Sequence, residues 1–187
     1  MPSSRIPLPV RPRASTRRRP AYAPATVAAV TVRPVRRADL DHVIAIDATV
    51  TGLEKRAYWQ RIYRRYGIAS AGEQRWFLVA MAERKVVGFL IGEVRDWEFG
   101  SPPCGWVFAI NVDPAARQDG IGTRLLESLS SALRSTGVAK LRTLLHHDNT
   151  LILSFFRSQG MMAAPLIPLE MDVAAAPPVP AASEAPR

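Results

Sequence analysis

The feature that most constrains this chain is a continuous unit over residues 105–133. It comprises an apolar run, GWVFAINV, a short loop with Gly120 and Gly122, and a segment carrying Leu125, Leu126, Leu129 and Leu133 at helical spacing. A run this apolar reads as a central strand buried on both faces. Such a strand needs neighbours at its edges and helices over its faces, so the unit predicts an α/β domain. The loop would offer consecutive backbone N–H groups at the start of the following helix, where the dipole and unpaired donors favour a phosphate. Glycine suits places where the backbone must come close to the anion. Two familiar phosphate loops fail on spacing: a dinucleotide G-x-G-x-x-G would need glycine where Leu125 stands, and Gly-Lys-Ser/Thr occurs nowhere.

The rest of the chain supplies the partners. Residues 30–35 alternate β-branched side chains with Thr and Arg, a strand pattern. Leu40, Val43, Ile44 and Asp47 share one helical face and predict a first helix, with Asp39 and Asp41 near its N-terminus. Gly52 interrupts, and residues 53–66 predict a second helix with Tyr58, Trp59, Ile62, Tyr63 and Tyr66 near one side. Residues 76–82 and 85–94 read as strands joined through Glu83 and Arg84 in a hairpin. Residues 141–145 read as a further strand ahead of Asn149. Together these elements predict a mixed α/β domain, a central mixed sheet flanked by helices.

The charge of the chain is uneven. Its 25 Lys and Arg against 16 Asp and Glu give a net +9, but nine of the arginines precede Asp39, where there is no lysine and no acid. From Asp39 onward bases and acids balance, so the pI says little about the site. Residues 1–29, rich in Pro, Arg, Ser and Ala, read as a disordered basic tail, 30–173 as the domain, and 174–187 as an Ala/Pro-rich tail. No compact apolar core of a secretory signal stands in the first tail. The single Cys104 excludes an internal disulfide and a Cys-rich zinc site, and suits a reducing compartment. Charges or prolines break every apolar run well short of the roughly 20 residues a membrane helix needs. A cytoplasmic protein without a membrane partner is expected.

Residues 117–122 spell R-x-x-G-x-G after a strand ending in Val and a Val-Asp-Pro turn. Downstream, Asn149, Ile152, Phe155, Phe156, Gly160 and Met161 stand at offsets 0, 3, 6, 7, 11 and 12. These two patterns, in this order, resemble the GNAT superfamily of N-acetyltransferases over residues 30–173. The resemblance implies the acyl-CoA N-acyltransferase fold in the order β-α-α-β-β-β-α-β-α-β, with residues 166–173 as its closing strand, acetyl-CoA as co-substrate, no metal, and direct acetyl transfer to a primary amine in a ternary complex. It further implies that Gln118, Asp119, Gly120, Ile121, Gly122 and Thr123 cradle the pyrophosphate, with Arg117 opening the loop. Ile110, Asn111 and Val112 would serve the pantetheine and thioester through their backbone, and Asn149 would contact the pantetheine arm.

The sequence departs from the family pattern where acid and base are expected. The tyrosine at offset 7 is replaced by Phe156, which has no proton to give, and the glutamate five residues before the Asn by Leu144. Glu93, late in the third strand, is one candidate base, acting through water; a solvated edge charge is the plainer reading. His147 is another, closing the fifth strand beside His146 and Asp148. Extended neighbours face opposite ways, so the two histidines are not expected to share a metal ion. Asp47, Tyr58 and Trp59 are candidate acceptor-binding residues, although capping and packing would place them equally well. An amine acceptor, small molecule or protein, is the expected partner; a homodimer is compatible with the sequence, and nucleic acid is not expected. Two other readings stay open: a non-catalytic acyl-CoA-binding regulatory module, favoured by Phe156 and Leu144, and an anionic-surface or nucleic-acid binder acting through the arginine tail.

Overall fold

The computed structural model describes residues 30–68, 72–117 and 119–173; the two tails at 1–29 and 174–187, and Gln118, lie outside the described residues. The elements are β1 (Thr31–Pro34), α1 (Leu40–Thr51), α2 (Arg56–Ile62), β2 (Arg75–Ala82), β3 (Lys85–Arg95), β4 (Cys104–Val112), α3 (Ile121–Ser135), β5 (Leu141–Thr143) and α4 (Thr150–Ser158). They build one five-stranded sheet in the order β1-β2-β3-β4-β5. β1 to β4 pair antiparallel and β4 pairs parallel with β5, giving the expected mixed α/β sheet. Among the described residues no helix is long and apolar enough to cross a membrane.

Period-two alternation with both faces covered explains the apolar strands. Leu78, Ala80, Leu90 and Val107 face α3 and α4, where they meet Leu125, Leu126, Leu129, Leu133 and Phe156. Phe77, Val79, Phe89 and Ile91 face the other way, onto Val43, Ile44 and Trp59 of α1 and α2. Each such side chain, fully buried, contributes on the order of 1.5–3 kcal/mol. The β2–β3 hairpin turns through Glu83 and Arg84, with φ of 47° and 69°, the left-handed pair whose twist suits a two-residue connection. β1 is anchored by Arg33, whose guanidinium donates to both oxygens of Asp39 at 2.7 and 2.8 Å. That pair, with the Arg36 N–H donating to Asp39 Oδ2 at 2.7 Å, holds the Asp39 carboxyl below the usual range.

Three expectations need correction. α2 starts at Arg56 rather than at residue 53 and continues as a π-helical turn over Tyr63–Gly67. β5 ends at Thr143, two residues early. No strand forms over 166–173: Pro165 and Pro168 remove ladder donors at its start, and Ile167, Leu169, Met171 and Val173 are all exposed.

Candidate functional site

The site is made by a failure of pairing. The parallel ladder between β4 and β5 runs through Gly105–Leu141, Trp106–Arg142 and Val107–Thr143 and then stops. The Thr143 hydroxyl donates to the Val107 carbonyl at 3.0 Å, closing the last rung. On its other edge β4 carries a bulge: Gly92 of β3 pairs with Val107 and Ile91 with Ala109, leaving Phe108 as the extra residue. A bulge bends its strand, and this one falls on the residue that follows the last β4–β5 rung. Beyond that rung lies a cavity of about 720 Å³ lined by Phe108 to Val112 on one side and Leu144 to His146 on the other. Alternate backbone N–H and C=O groups of β4 point into this gap without a strand to meet them.

One end of the cavity is closed by the loop to α3. Asp113 opens the loop, its carboxylate accepting from the Ala115 N–H at 3.0 Å. Gly120 then adopts φ +69°, a left-handed conformation that costs glycine little, and α3 begins at Ile121. Among the described residues no side chain caps this helix and no acid stands in its first turn, so its positive end carries leading N–H groups with no partner among them. Arg117, Gly120, Gly122 and Thr123 line the cavity here. A Cβ added at Gly122 would sit 3.0 Å from Phe155 Cε2 and 3.2 Å from Cζ, so the ring would have to yield by a few tenths of an ångström.

The far wall is α4. Asn149 caps it, its Oδ1 accepting from the Ile152 N–H at 3.2 Å, and Leu151, Ile152, Phe155 and Phe156 supply an apolar surface. The only ionisable side chains among the described lining residues are Arg117 and His146. His146 Nδ1 lies 3.5 Å from Asp148 Oδ2.

Of the residues expected at the site, Ile110, Asn111, Val112, Arg117, Gly120, Gly122, Thr123 and Asn149 are brought together around the cavity. Ile121 is buried in the core, contributing at most its backbone, while Asp119 is exposed beside the loop and outside the lining. His147 is exposed and outside the cavity, with Nε2 2.9 Å from Asp148 Oδ1; it is His146 that lines it. Strand alternation misplaced the histidines because β5 ends at Thr143. For the same reason the argument against a shared ion fails: the rings stack at 4.8 Å, and the ligand atoms of His146, His147 and Asp148 all lie within 4.8 Å of one another.

The acceptor-side candidates also move. Asp47 is buried, its Oδ2 accepting from Trp59 Nε1 and Lys55 Nζ, each at 2.8 Å. Trp59 is a core residue packed edge-on against Phe89, and Tyr58 lies on the outer side of α2 beside Lys55 and Arg61. None of the three lines the cavity. Glu93 is a buried carboxylate rather than a solvated edge charge. Its Oε1 accepts from Arg95 Nε at 3.1 Å and its Oε2 from the Tyr66 hydroxyl at 2.9 Å. Burial, with this carboxylate beside it, pushes the Tyr66 hydroxyl up to about 12. Cys104 is buried, its thiol near the Gly105 and Lys140 carbonyls and pushed up by burial. Sequence reasoning missed Phe108 and His146; the apolar strand showed no sign of a bulge, and only the length of β5 would have separated the histidines.

Fold and cleft together define a mixed α/β domain with an open gap between two strands that ends at a helix N-terminus. The chain belongs to the acetyltransferase (GNAT) family, whose model matches residues 43–161. It is 33% identical over 79 residues to an L-2,4-diaminobutyric acid acetyltransferase of Nocardia farcinica, covering 42% of this chain and 39% of that protein. It is 29% identical over 91 residues to a mycothiol acetyltransferase of Kocuria rhizophila, covering 47% of this chain and 30% of the relative. The chain thus spans about a third of the length of these relatives. Among solved structures, the aminoglycoside N-acetyltransferase AAC(6')-Iy in complex with CoA superimposes with a TM-score of 0.67 at 17% identity, over 78% of this chain and 95% of that one. A transcriptional regulator from Bacillus halodurans C-125 matches with a TM-score of 0.66 at 18% identity, over 77% and 99%. These two likenesses concern the fold.

Proposed function

We propose that the protein transfers an acetyl group from acetyl-CoA to a primary amine in a ternary complex. The observation that carries this is the gap between β4 and β5, ending on the bare N-terminus of α3. The fit to an acyl-CoA rests on donors: unpaired amides at Gly120, Ile121, Gly122 and Thr123, with Arg117 beside them, suit a diphosphate, and no carboxylate among the described lining residues repels it. Gln118 and Asp119 flank the same loop. The open edge of β4 at Ile110, Asn111 and Val112 suits an amide-bearing arm. With its Oδ1 committed to the cap, Asn149 has its amide N–H groups left for that arm.

Acyl-CoA supplies a thioester carbonyl that an unprotonated amine can attack, releasing the thiol. The chain holds the reactants together, which can supply several kcal/mol of the barrier, and a β4 N–H facing the gap can stabilise the carbonyl oxygen. Phe156 cannot protonate the leaving sulfur, so the proton lost by the amine must reach it another way. We place that duty on His146, whose Nδ1 accepts from the Asp148 N–H at 3.4 Å and lies 3.5 Å from the Asp148 carboxylate. Glu93 and His147 are weaker candidates, the first tied up by Tyr66 and Arg95, the second outside the cavity. Phe156 also favours a second reading, an acyl-CoA-binding module without turnover.

Calorimetric titration with acetyl-CoA, followed by turnover of His146→Gln, tests the proposal. Acetyl-CoA should bind both forms equally, and the variant should lose about 10²-fold or more in rate. Absence of acetyl-CoA binding would overturn the whole reading; full turnover by the variant would remove His146 from it.

A further inference from the structure

We infer that the acceptor amine carries a carboxylate, bound by Arg65 beside Tyr66 and Phe108; this deepens the acetyl-transfer reading and rests on it. Phe108, the bulge residue, lines the cavity and touches a second cluster. Its ring centroid lies 6.1 Å from that of Tyr66 and 4.8 Å from the Arg95 guanidinium. Around Tyr66 stand Arg65 and Arg75, 5.3 and 5.9 Å from its ring. Three guanidiniums therefore share one buried carboxylate, Glu93, from which Arg75 and Arg65 are 3.7 and 3.8 Å away.

Counting partners separates the arginines. Arg75 is also paired with Glu73 at 2.9 Å, and Arg95 with Glu98 at 3.3 Å. Arg65 has no second acid among the described residues. It is more than half exposed, and its one acidic contact is a long one to an oxygen already bonded by Tyr66. Its donors are free to bind an incoming anion, whereas those of Arg95 are committed to Glu93 and Glu98. The surrounding segment adds to the field: residues 55–68 carry Lys55, Arg56, Arg61, Arg64 and Arg65 and no acid. Of these, Lys55 and Arg56 are paired with Asp47, Asp41 and Glu54, while Arg61 and Arg64 have no acidic partner among the described residues.

A solvated basic helix face would account for Arg61 and Arg64 alone. It does not account for a buried Glu93 that fixes guanidiniums around Tyr66 at the residue where the sheet opens. A planar guanidinium fork matches a carboxylate, and a charge-assisted pair of this kind is stronger than a neutral hydrogen bond. A polycationic acceptor meets the opposite situation: no carboxylate among the described lining residues, and a field of like charge beside it.

The test uses the full chain with acetyl-CoA and paired acceptors: amino acids, each against the amine left when its carboxylate is removed, together with a polycationic aminoglycoside. The best acceptor should bear a carboxylate and exceed its decarboxylated counterpart in kcat/KM by about tenfold or more. Arg65→Gln should shrink that ratio roughly tenfold, mainly through KM, with acetyl-CoA affinity unchanged as the check on folding. A best acceptor without a carboxylate, or an aminoglycoside as the best acceptor, overturns the inference while leaving acetyl transfer intact. If no amine is acetylated, the transfer reading fails, and N-acetyl amino acids titrated into the CoA-bound protein decide separately. Binding that disappears in Arg65→Gln supports the carboxylate subsite; binding indifferent to Arg65, or none, overturns it.

Discussion

Asp47 offers a direct way to separate a structural from an acceptor-binding carboxylate on α1. The side chain is only 5% exposed and accepts from the indole of Trp59 and from Lys55, each at 2.8 Å. Asp47→Ala would strand a buried indole N–H, costing about 1–3 kcal/mol. The Lys55 pair adds at most about 1 kcal/mol, because Lys55 is 31% exposed and can return to water. The total is about 1–4 kcal/mol, which for a domain of this size lowers Tm by roughly 2–16 °C. Asp47→Asn keeps an oxygen for the indole and should cost only about 1 kcal/mol. Urea unfolding followed by tryptophan fluorescence measures both. If Asp47→Ala unfolds within about 0.5 kcal/mol of the parent protein while acceptor KM rises, the reasoning is refuted and the carboxylate belongs to the acceptor site.

Gly122→Val drives a β-branched side chain into the Phe155 ring and should weaken acetyl-CoA binding about tenfold or more, read by calorimetry on folded protein. Asp39→Asn should cost about 1–3 kcal/mol by breaking the bidentate pair with Arg33. Because the folded-state pKa of Asp39 is depressed, its contribution is present above the ordinary aspartate value near about 3.9 and is lost as pH falls below it. The parent protein should therefore lose more stability than Asp39→Asn between neutral and strongly acid pH, measured by denaturant titration at each pH.

Much of the sheet was legible because its signals are local. The apolar runs of β3 and β4, the leucine stripe of α3 and the glycines of the loop each act through a period or a turn that the sequence carries directly. The rest depends on contacts between distant residues. Glu93 meets Tyr66 from 27 positions away and Asp47 meets Trp59 from 12, so neither carboxylate could be assigned from its neighbours. The bulge at Phe108 is a mismatch between two strands and leaves no trace in either. At 166–173 a strand was expected from the resemblance alone, while Pro165 and Pro168 weigh against pairing and the apolar side chains stay exposed. The histidines were misassigned by extending a strand two residues too far.

Release of CoA thiol in the presence of amines most directly tests whether the β4–β5 gap performs acyl transfer rather than binding alone. With acetyl-CoA and the acceptor panel at mildly alkaline pH, the protein should release thiol in step with formation of the acetylated amine. Phe156→Tyr, which adds a proton donor on the cavity wall, should match or modestly exceed that rate. Protein that binds acetyl-CoA yet releases no thiol above background with any amine or peptide would contradict the account and leave an acyl-CoA-binding module in its place.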